Sequence, residues 1–166
     1  CHMRPDYFTV ELGSEIPELG IRQSNRFTSN PEKVESFIKF QNVREVYDSL
    51  ILCKFSPLSL TTISKLYSAI TGIKVEPKDI NVLGERIYNL KRSINIKLGM
   101  KREDEKLPKI VLKPINRGGT QGNVPNIEEL LNHYYAIRKI DPNTGKPLKE
   151  KLVELGLSKQ AEELWV

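Results

Sequence analysis

The sequence has 166 residues, of which 39% are hydrophobic and 28% are charged, and its formal net charge is +5. This composition excludes an intrinsically disordered chain, and the length suffices for one ordinary domain or two tightly joined helical lobes around an apolar core. Lysine and arginine are scattered among acidic residues along every segment, without a basic run interleaved with aromatic residues, so the sequence argues against nucleic-acid binding.

The cysteine count and the hydropathy pattern narrow the class of protein. Cys1 and Cys53 are the two cysteines of the sequence, too few for the disulfide framework of a small secreted domain. No run reaches the roughly 18 consecutive apolar residues of a membrane-spanning helix, and the N-terminus shows no apolar segment of a signal peptide. We therefore expect a cytoplasmic protein that does not cross a membrane.

The first predicted helix follows an irregular N-terminal segment. Residues 1–30 are predicted to be irregular apart from one candidate extended piece at 7–12, because proline and glycine interrupt them. Asn30 suits a helix N-cap, and Pro31 suits the first helical position, where its missing N–H costs no hydrogen bond. Apolar residues at helical spacing then predict one long amphipathic helix, or two in tandem, ending near Leu50.

Two further helices are predicted in the middle of the chain. The second covers about 58–69, with Gly72 as its terminator. Its apolar side is assigned to Leu60, Ile63, Leu66, Tyr67 and Ile70. The third helix opens at Pro77 and ends near Gly99. Its apolar positions recur at steps of three and four residues, and they are Ile80, Leu83, Ile87, Leu90 and Ile94.

A long irregular loop separates these helices from the C-terminal part. It covers 100–125 and is rich in proline and glycine, and 110–112 is predicted to be a short strand or a buried piece of loop; loops of this length often bind a neighbour. A fourth helix begins at Asn126. Its inward-facing residues are predicted to be Leu130, Leu131, Tyr134 and Ile137. A turn at 141–145 precedes a last helix or helix pair over 149–164. The sequence thus predicts a mainly α, multihelical fold of about five helices with one long irregular loop.

Most catalytic motifs are absent from the sequence. The Gly-rich stretch 117–122 follows no strong strand and opens no helix directly, so it is better explained as a loop that needs positive φ values than as a dinucleotide site. Apart from the adjacent Cys1 and His2, cysteine and histidine do not pair at the spacing of a zinc site, and His133 is interpreted as a helix-surface or boundary residue. A Cys–His nucleophile pair can be drawn between Cys53 and either histidine, but nothing in the sequence orients it.

One local group of residues offers cofactor chemistry. Asp48 stands five residues before Cys53 at the predicted end of the first helix, where a helix running into a loop would present both side chains to a cofactor. A thiolate is a strong ligand for iron–sulfur clusters, and a carboxylate accepts charge-assisted hydrogen bonds from the N–H groups of a planar heterocycle. On pattern alone, a single cysteine is more often a buried small apolar residue.

The stretch from Asp48 to Cys53 resembles the Asp-x-x-Gly-Leu-Cys motif of the tungsten-containing aldehyde ferredoxin oxidoreductases. Further stretches resemble the C-terminal region of the same family, in order and spacing, over about residues 40–160. They are 83–92, Asn95, Gly99, Arg102, Asp104, Leu107 and Pro108, then 129–131, Tyr134, Tyr135 and Arg138, and last 145–147 and 151–157. The resemblance implies that residues 1–166 form a single helical domain like the C-terminal domain of that family. Several charged residues among these stretches are interpreted as mainly structural: Glu85, Arg86, Arg92, Arg102 and Asp104.

The resemblance also implies an activity and its cofactors. Members of the family hold tungsten between two pterin cofactors beside a 4Fe–4S cluster, oxidise aldehydes to carboxylic acids and pass the electrons to ferredoxin. By this resemblance Cys53 is the last of four cluster ligands, and Asp48 grips one pterin with help from the backbone near Leu52. The family's other three cysteines lie in a Cys-x-x-Cys-x-x-x-Cys group, and an N-terminal β-rich domain cradles its pterins. Neither feature is found in this sequence.

The missing parts of the family pattern define the expected partners. We expect the chain alone to be inactive and to bind no cofactor, because the remaining ligands belong to other polypeptide. The partners implied are the N-terminal part of the same enzyme, or a split-gene subunit that supplies it, and ferredoxin. Self-association as a homo-oligomer is expected where the surface that normally meets the rest of the enzyme is exposed.

Two positions qualify the resemblance. Ile51 stands where the family usually has glycine, and its Cβ would crowd a close backbone approach to the cofactor. Cys1 and His2 allow two interpretations, because a His-Met pair is common at cloned N-termini and yet the segment also resembles the family's surroundings of an active-site histidine. The second interpretation is preferred. His2 would then lie near the metal and carry a proton or donate a hydrogen bond to the substrate oxygen.

Two other functions stay open on the sequence. The chain could be a non-catalytic helical scaffold or interaction domain derived from the same family, in which case Cys53 should be buried in apolar packing rather than exposed. It could also be a small Cys–His hydrolase, in which case an activity assay should depend on Cys53.

Overall fold

Six α-helices make up most of the described chain. The computed structural model describes residues 15–22, 25, 27–53, 56 and 58–165. The helices are α1 (Pro31–Ser49), α2 (Leu60–Thr71), α3 (Pro77–Lys97), α4 (Ile127–Arg138), α5 (Lys149–Glu154) and α6 (Ser158–Leu164). Three short 3-10 turns lie at Pro17–Leu19, Arg102–Asp104 and Lys109–Leu112. Within these residues there is no β-strand, and the two bridges are isolated.

This architecture confirms the mainly α prediction. The last predicted element is a pair, α5 and α6, rather than one helix. None of the helices in the described part combines the length and the apolarity that crossing a bilayer requires. The extended piece predicted at 7–12 lies outside the described residues.

Helix α1 begins and ends close to where its sequence predicts. The Asn30 side chain accepts a hydrogen bond from the backbone N–H of Lys33 at 3.1 Å, and Pro31 takes the first helical position. The helix continues to Ser49, so the stretch is one helix and not two in tandem. Its buried residues are Val34, Ile38, Phe40, Asn42, Val43, Val46 and Tyr47.

Helix α3 is the element around which the others pack. It contacts α1, α2, α6 and the turn Pro17–Leu19. The backbone N–H of Glu76 donates to the Asp79 carboxylate at 2.7 Å and closes the start of the helix. The nearest approach to α1 is at Gly84, where an added Cβ would lie 1.9 Å from the carbonyl oxygen of Asn42. Only glycine therefore allows α1 and α3 to cross at this separation.

Two apolar clusters hold the helices on α3. One joins α1, α2 and α3, and its buried members are Val43, Val46, Tyr47, Leu60, Ile63 and Ile80. The other joins the C-terminal pair to α3, and it consists of Leu152, Leu155, Leu157, Ala161 and Leu164, with Leu90 and Ile96 packed against it. Because each fully buried aliphatic side chain contributes about 1.5–3 kcal/mol, these clusters account for the attachment of both ends of the chain to α3.

Helical periodicity predicted too much burial at three positions. In α2, Leu60 and Ile63 are buried as expected, but Leu66 is exposed and Ile70 is 82% exposed. Ile94 of α3 is exposed as well. The physical reason is that the repeat identifies which residues share a face, whereas burial also requires a neighbouring element that covers the whole face.

The prediction for residues 110–112 was wrong in both of its forms. These residues lie in the 3-10 turn Lys109–Leu112 and are exposed, so they form neither a strand nor a buried piece of loop. The prolines at 108 and 114 bracket the segment and limit it to one short turn. All residues from 108 to 126 are exposed, and we call 106–126 the exposed loop.

Candidate functional site

The end of α1 is a helix C-cap with an unusual residue at its turning point. The backbone N–H of Leu52 donates to the carbonyl of Tyr47 at 2.9 Å, and that of Ile51 donates to the carbonyl of Asp48 at 3.2 Å. This pair of hydrogen bonds is the Schellman motif, which requires a left-handed residue just beyond the helix. Ile51 fills that position with φ of +56°. The left-handed geometry gives a physical reason for glycine at this place in the family motif.

The two residues that follow the C-cap, Leu52 and Cys53, lie in different environments. Leu52 is half-buried and packs against the first apolar cluster, which anchors the turn to the core. Cys53 follows directly as an exposed free thiol. The carbonyl of Cys53 accepts a hydrogen bond from the N–H of Ser56 at 2.9 Å. The thiol is thus presented to solvent directly after the hydrogen-bonded end of α1.

Asp48 lies in the last turn of α1 with its carboxylate largely in solvent. Its side chain is 66% exposed, and its Oδ1 lies 3.9 Å from an Nη of Arg44, which is 18% exposed. The Arg44 guanidinium sits 5.0 Å from the centre of the Tyr47 ring. Because the carboxylate is exposed and the separation is 3.9 Å, this ion pair contributes little to stability, and the Asp48 carboxylate keeps acceptor capacity for a ligand.

These residues fit part of a cofactor site by their chemistry. An exposed thiol can ligate a metal cluster once deprotonated, and an exposed carboxylate can accept hydrogen bonds from a heterocycle. The N–H of Leu52 is already used in the C-cap, so a contact from Leu52 itself would use its carbonyl. Within the part of the chain that the structure describes, no group of three or more His, Cys, Asp or Glu side chains could hold a metal ion.

The other predicted site residues have different outcomes. His2 and Cys1 lie outside the described residues, and the role of His2 stays a prediction. His133 is half-buried on α4, with Nε2 3.9 Å from a carboxylate oxygen of Glu129, which agrees with its interpretation as a helix-boundary residue. In the Gly-rich stretch, Gly118 and Gly122 have φ of +95° and +71°, which confirms the interpretation as a loop with positive φ values.

An ion pair between the buried Arg92 and the half-buried Glu105 holds the base of the exposed loop. Arg92 of α3 donates to both carboxylate oxygens of Glu105 at 2.9 and 2.8 Å, and its Nε donates to the carbonyl of Gly145 at 2.7 Å. The Tyr135 hydroxyl also donates to Glu105. Burial alone would raise the pKa of Glu105, but the hydrogen bonds from Arg92 and Tyr135 bring it below its ordinary value.

The structural interpretation of Arg92 is supported by these contacts, whereas Glu105 was missed. Glu105 stands eight residues after Lys97, the last residue of the helix that carries Arg92. No local pattern marks such a pair, since the loop has to fold back before the two residues meet.

A second buried arginine ties α4 to α1 and was also missed. Arg138 is fully buried and donates to the side-chain oxygens of Asn42 at 2.7 Å and Gln41 at 2.8 Å. Its guanidinium lies 3.8 Å from the centre of the Tyr88 ring. The middle of α1 is therefore held by Arg138 from one side and by the Gly84 crossing from another, one to two helical turns before Asp48.

Comparisons with known proteins identify the family to which the chain is similar. A family model described as aldehyde ferredoxin oxidoreductase, domains 2 and 3, matches residues 1–157. The tungsten-containing aldehyde ferredoxin oxidoreductase of Pyrococcus furiosus is 34% identical over 131 residues, which are 76% of this chain and 22% of that protein. The enzyme of the same name from Pyrococcus horikoshii is 35% identical over 130 residues, 76% of this chain and 21% of that protein. The chain thus spans about a fifth of the length of these relatives.

A solved structure shares the fold. The chain superposes with a TM-score of 0.68 and 23% sequence identity on the active-site complex BamBC of benzoyl coenzyme A reductase, determined with 1,5-dienoyl-CoA. The match covers 96% of this chain and 23% of that one. By its sequence, this chain belongs to the aldehyde ferredoxin oxidoreductase family and corresponds to the region of domains 2 and 3.

Proposed function

We propose that this chain forms one wall of the cofactor pocket of an aldehyde ferredoxin oxidoreductase. The complete enzyme would oxidise an aldehyde to the carboxylic acid and pass the electrons to ferredoxin. When bound, the tungsten–bis(pterin) group and the 4Fe–4S cluster would supply the oxidation chemistry and the electron path. The observation that carries the proposal is the exposed Cys53 thiol, placed directly after the capped end of α1 in the family's motif.

Cys53 would be the last of four cluster ligands. Exposure suits this role, because a ligand has to reach iron that other polypeptide also holds. Hydrogen bonds to the Leu52 N–H and the Cys53 carbonyl would keep the ligand's backbone in place. A fixed ligand loses less conformational entropy when the cluster assembles.

Asp48 would orient one pterin by accepting hydrogen bonds from its N–H groups. A carboxylate is well suited to a planar heterocycle because its two oxygens can accept in parallel. The end of α1 leaves this side chain 66% exposed, and Leu52 could add a backbone carbonyl. His2 would lie near the metal and move a proton to or from the substrate oxygen; its support is the resemblance of its surroundings alone.

The rest of the enzyme would cover the exposed loop. The chain spans 22% of its Pyrococcus furiosus relative, so most of an enzyme of that length would lie outside these 166 residues. Residues 106–126 contain four basic and no acidic residues, and several apolar side chains in the loop are exposed: Ile110, Val111, Leu112, Ile115 and Val124. An exposed apolar stretch of this kind is typical of a docking surface. We propose that 1–166 is one helical domain that docks through this loop.

The two alternative functions are less well supported. A scaffold that had lost the cofactor was expected to bury Cys53 in apolar packing, whereas the thiol is exposed. A Cys–His hydrolase needs a histidine that orients the thiol, and the described contact of His133 is with Glu129.

The decisive experiment removes the thiol from the complete enzyme. Cys53→Ala should lower iron and acid-labile sulfide in the purified enzyme and remove the electron paramagnetic resonance signal of the reduced cluster. Cys1→Ala is the matched control, since Cys1 has no assigned role, and it should leave the cluster intact. A Cys53→Ala enzyme with a full complement of four irons and an unchanged signal would refute the proposal.

A further inference from the structure

Ile51 combines two features that are unfavourable inside this chain. Its φ is +56°, a left-handed conformation that a β-branched side chain adopts very rarely. At the equivalent C-cap positions of α3 and α5 the chain has Gly99 and Gly156, with φ of +99° and +68°. A third C-cap, after α4, uses Lys139 at +53°, an unbranched residue. The fold therefore accepts glycine or a flexible residue at this kind of turn, and isoleucine is the exception.

Packing within the chain does not compensate for this conformation. The Ile51 side chain is 91% exposed, so it gains almost nothing from burial. Leu50 beside it is also exposed. Strained and exposed apolar residues persist mainly where the surroundings in the functional state use them. A role for Ile51 therefore has to involve a group other than the described residues.

Ile51 is close in sequence to the proposed cluster ligand. It lies two residues before Cys53 and three after Asp48. The backbone N–H groups of Leu50, Ile51 and Leu52 all donate to carbonyls of α1, at 2.9, 3.2 and 2.9 Å. These amides are occupied and would not donate to cluster sulfurs. The segment before the ligand thus offers apolar side chains in place of hydrogen-bond donors.

We propose that Ile51 tunes the reduction potential of the cluster that Cys53 would hold; this inference rests on the proposed function. With the cluster bound, this exposed apolar side chain, two residues before the ligand, would keep water away from it. Reduction adds one electron and increases the negative charge of the cluster, and water or N–H donors stabilise that charge. An apolar cover without donors disfavours the reduced form and lowers the potential. Ile51 acts here as a positioning and shielding residue, since it does not ligate iron.

Three substitutions separate shielding from backbone strain. In the complete enzyme, Ile51→Gly removes both the backbone strain and the apolar side chain. Ile51→Asn replaces the apolar side chain with a polar one that tolerates the left-handed region. Ile51→Leu keeps an apolar cover. The cluster is titrated with dithionite as the electron donor, and its reduced form is followed by electron paramagnetic resonance. The matched control is Ile70→Asn, because Ile70 is 82% exposed on α2.

The expected result is a more positive midpoint potential for the Gly and Asn variants. At the wild-type midpoint, the ratio of reduced to oxidised cluster should rise about tenfold, which corresponds to about 59 mV for one electron. Ile51→Leu and Ile70→Asn should leave the ratio near one. Wild-type midpoints in the Gly and Asn variants, or an equal shift in the Leu variant, would overturn the inference. If the Cys53→Ala enzyme retains the cluster, the proposed function itself fails. An unchanged midpoint in the Ile51 variants, with the cluster lost in Cys53→Ala, refutes the inference about Ile51 alone.

Discussion

The crossing of α1 and α3 at Gly84 gives the sharpest test of how the site is positioned. In a Gly84→Ala variant the new Cβ would lie 1.9 Å from the carbonyl oxygen, 2.4 Å from the carbonyl carbon and 2.8 Å from the Cα of Asn42. All three are backbone atoms of a buried helix, so no side chain can rotate away. To restore a normal contact the helices have to separate by about 1 Å or more.

Gly84→Ala should lower the free energy of unfolding, although alanine favours a helix more than glycine does. Alanine favours a helix over glycine by about 1 kcal/mol, whereas overpacking of this kind costs typically 1–3 kcal/mol and occasionally more. The separation also stretches the hydrogen bonds of Asn42 to Asn81 and Arg138, at 3.0 and 2.7 Å. We expect a net loss of about 3 kcal/mol, with a melting temperature lower by roughly 6–12 °C.

Urea unfolding followed by circular dichroism measures this loss. The control is Ala69→Gly, an exposed position in α2 that reports helix propensity without a clash and should cost about 1 kcal/mol. A Gly84→Ala protein as stable as the wild type would refute the close crossing of the helices.

The remaining predictions concern the C-cap, the loop base and the buried arginine. Ile51→Gly should stabilise the chain by about 0.5–1 kcal/mol in urea unfolding, because relief of the left-handed strain exceeds the entropy that glycine adds to the unfolded chain. Gly99→Ala introduces the same strain at the end of α3 and should destabilise the chain. A destabilised Ile51→Gly protein would contradict this reasoning. The pKa of Glu105 is lowered in the fold, so its contribution to stability is complete above its ordinary pKa and is lost as the pH falls through the lower folded value. Glu105→Gln should therefore weaken the acid dependence of the free energy of unfolding, and an unchanged pH profile would be evidence against the ion pair with Arg92. Arg138→Lys should cost about 1.5–3 kcal/mol, because the guanidinium reaches the two side-chain oxygens from two separate nitrogens and an ammonium lacks this planar fork. A thermal melt equal to that of the wild type would argue against this.

The helices could be predicted from sequence because their signals are local. Asn30 and Pro31 start α1, and Gly99 ends α3, through interactions within one turn of chain. What could not be predicted depends on contacts between distant residues. Arg138 meets Asn42 across 96 positions of sequence, and the periodicity of α2 carries no information about how far its neighbours extend over Ile70.

The site shows the same division between local and distant information. On pattern alone Cys53 was expected to be buried, whereas its thiol is exposed. The sequence explained the glycine of the family motif only by the close approach of a cofactor. The structure adds a reason that lies in the chain itself, since the Schellman turn puts Ile51 at positive φ. A departure from a family motif can thus be tested in the isolated chain, before any cofactor is bound.

Two kinds of interaction meet in α1, and their order along the helix has a functional consequence. Its middle is held rigidly, by the Gly84 crossing and by Arg138 on Asn42. Its end is held by main-chain hydrogen bonds of the C-cap, while the side chains there stay in solvent. Variants in the middle should therefore change the stability of the fold, whereas variants at Cys53 should change cofactor loading with little effect on unfolding. A Cys53→Ala chain that unfolds at the wild-type urea concentration, beside a strongly destabilised Gly84→Ala chain, would separate the two roles; equal destabilisation by both would mean that the thiol belongs to the core after all.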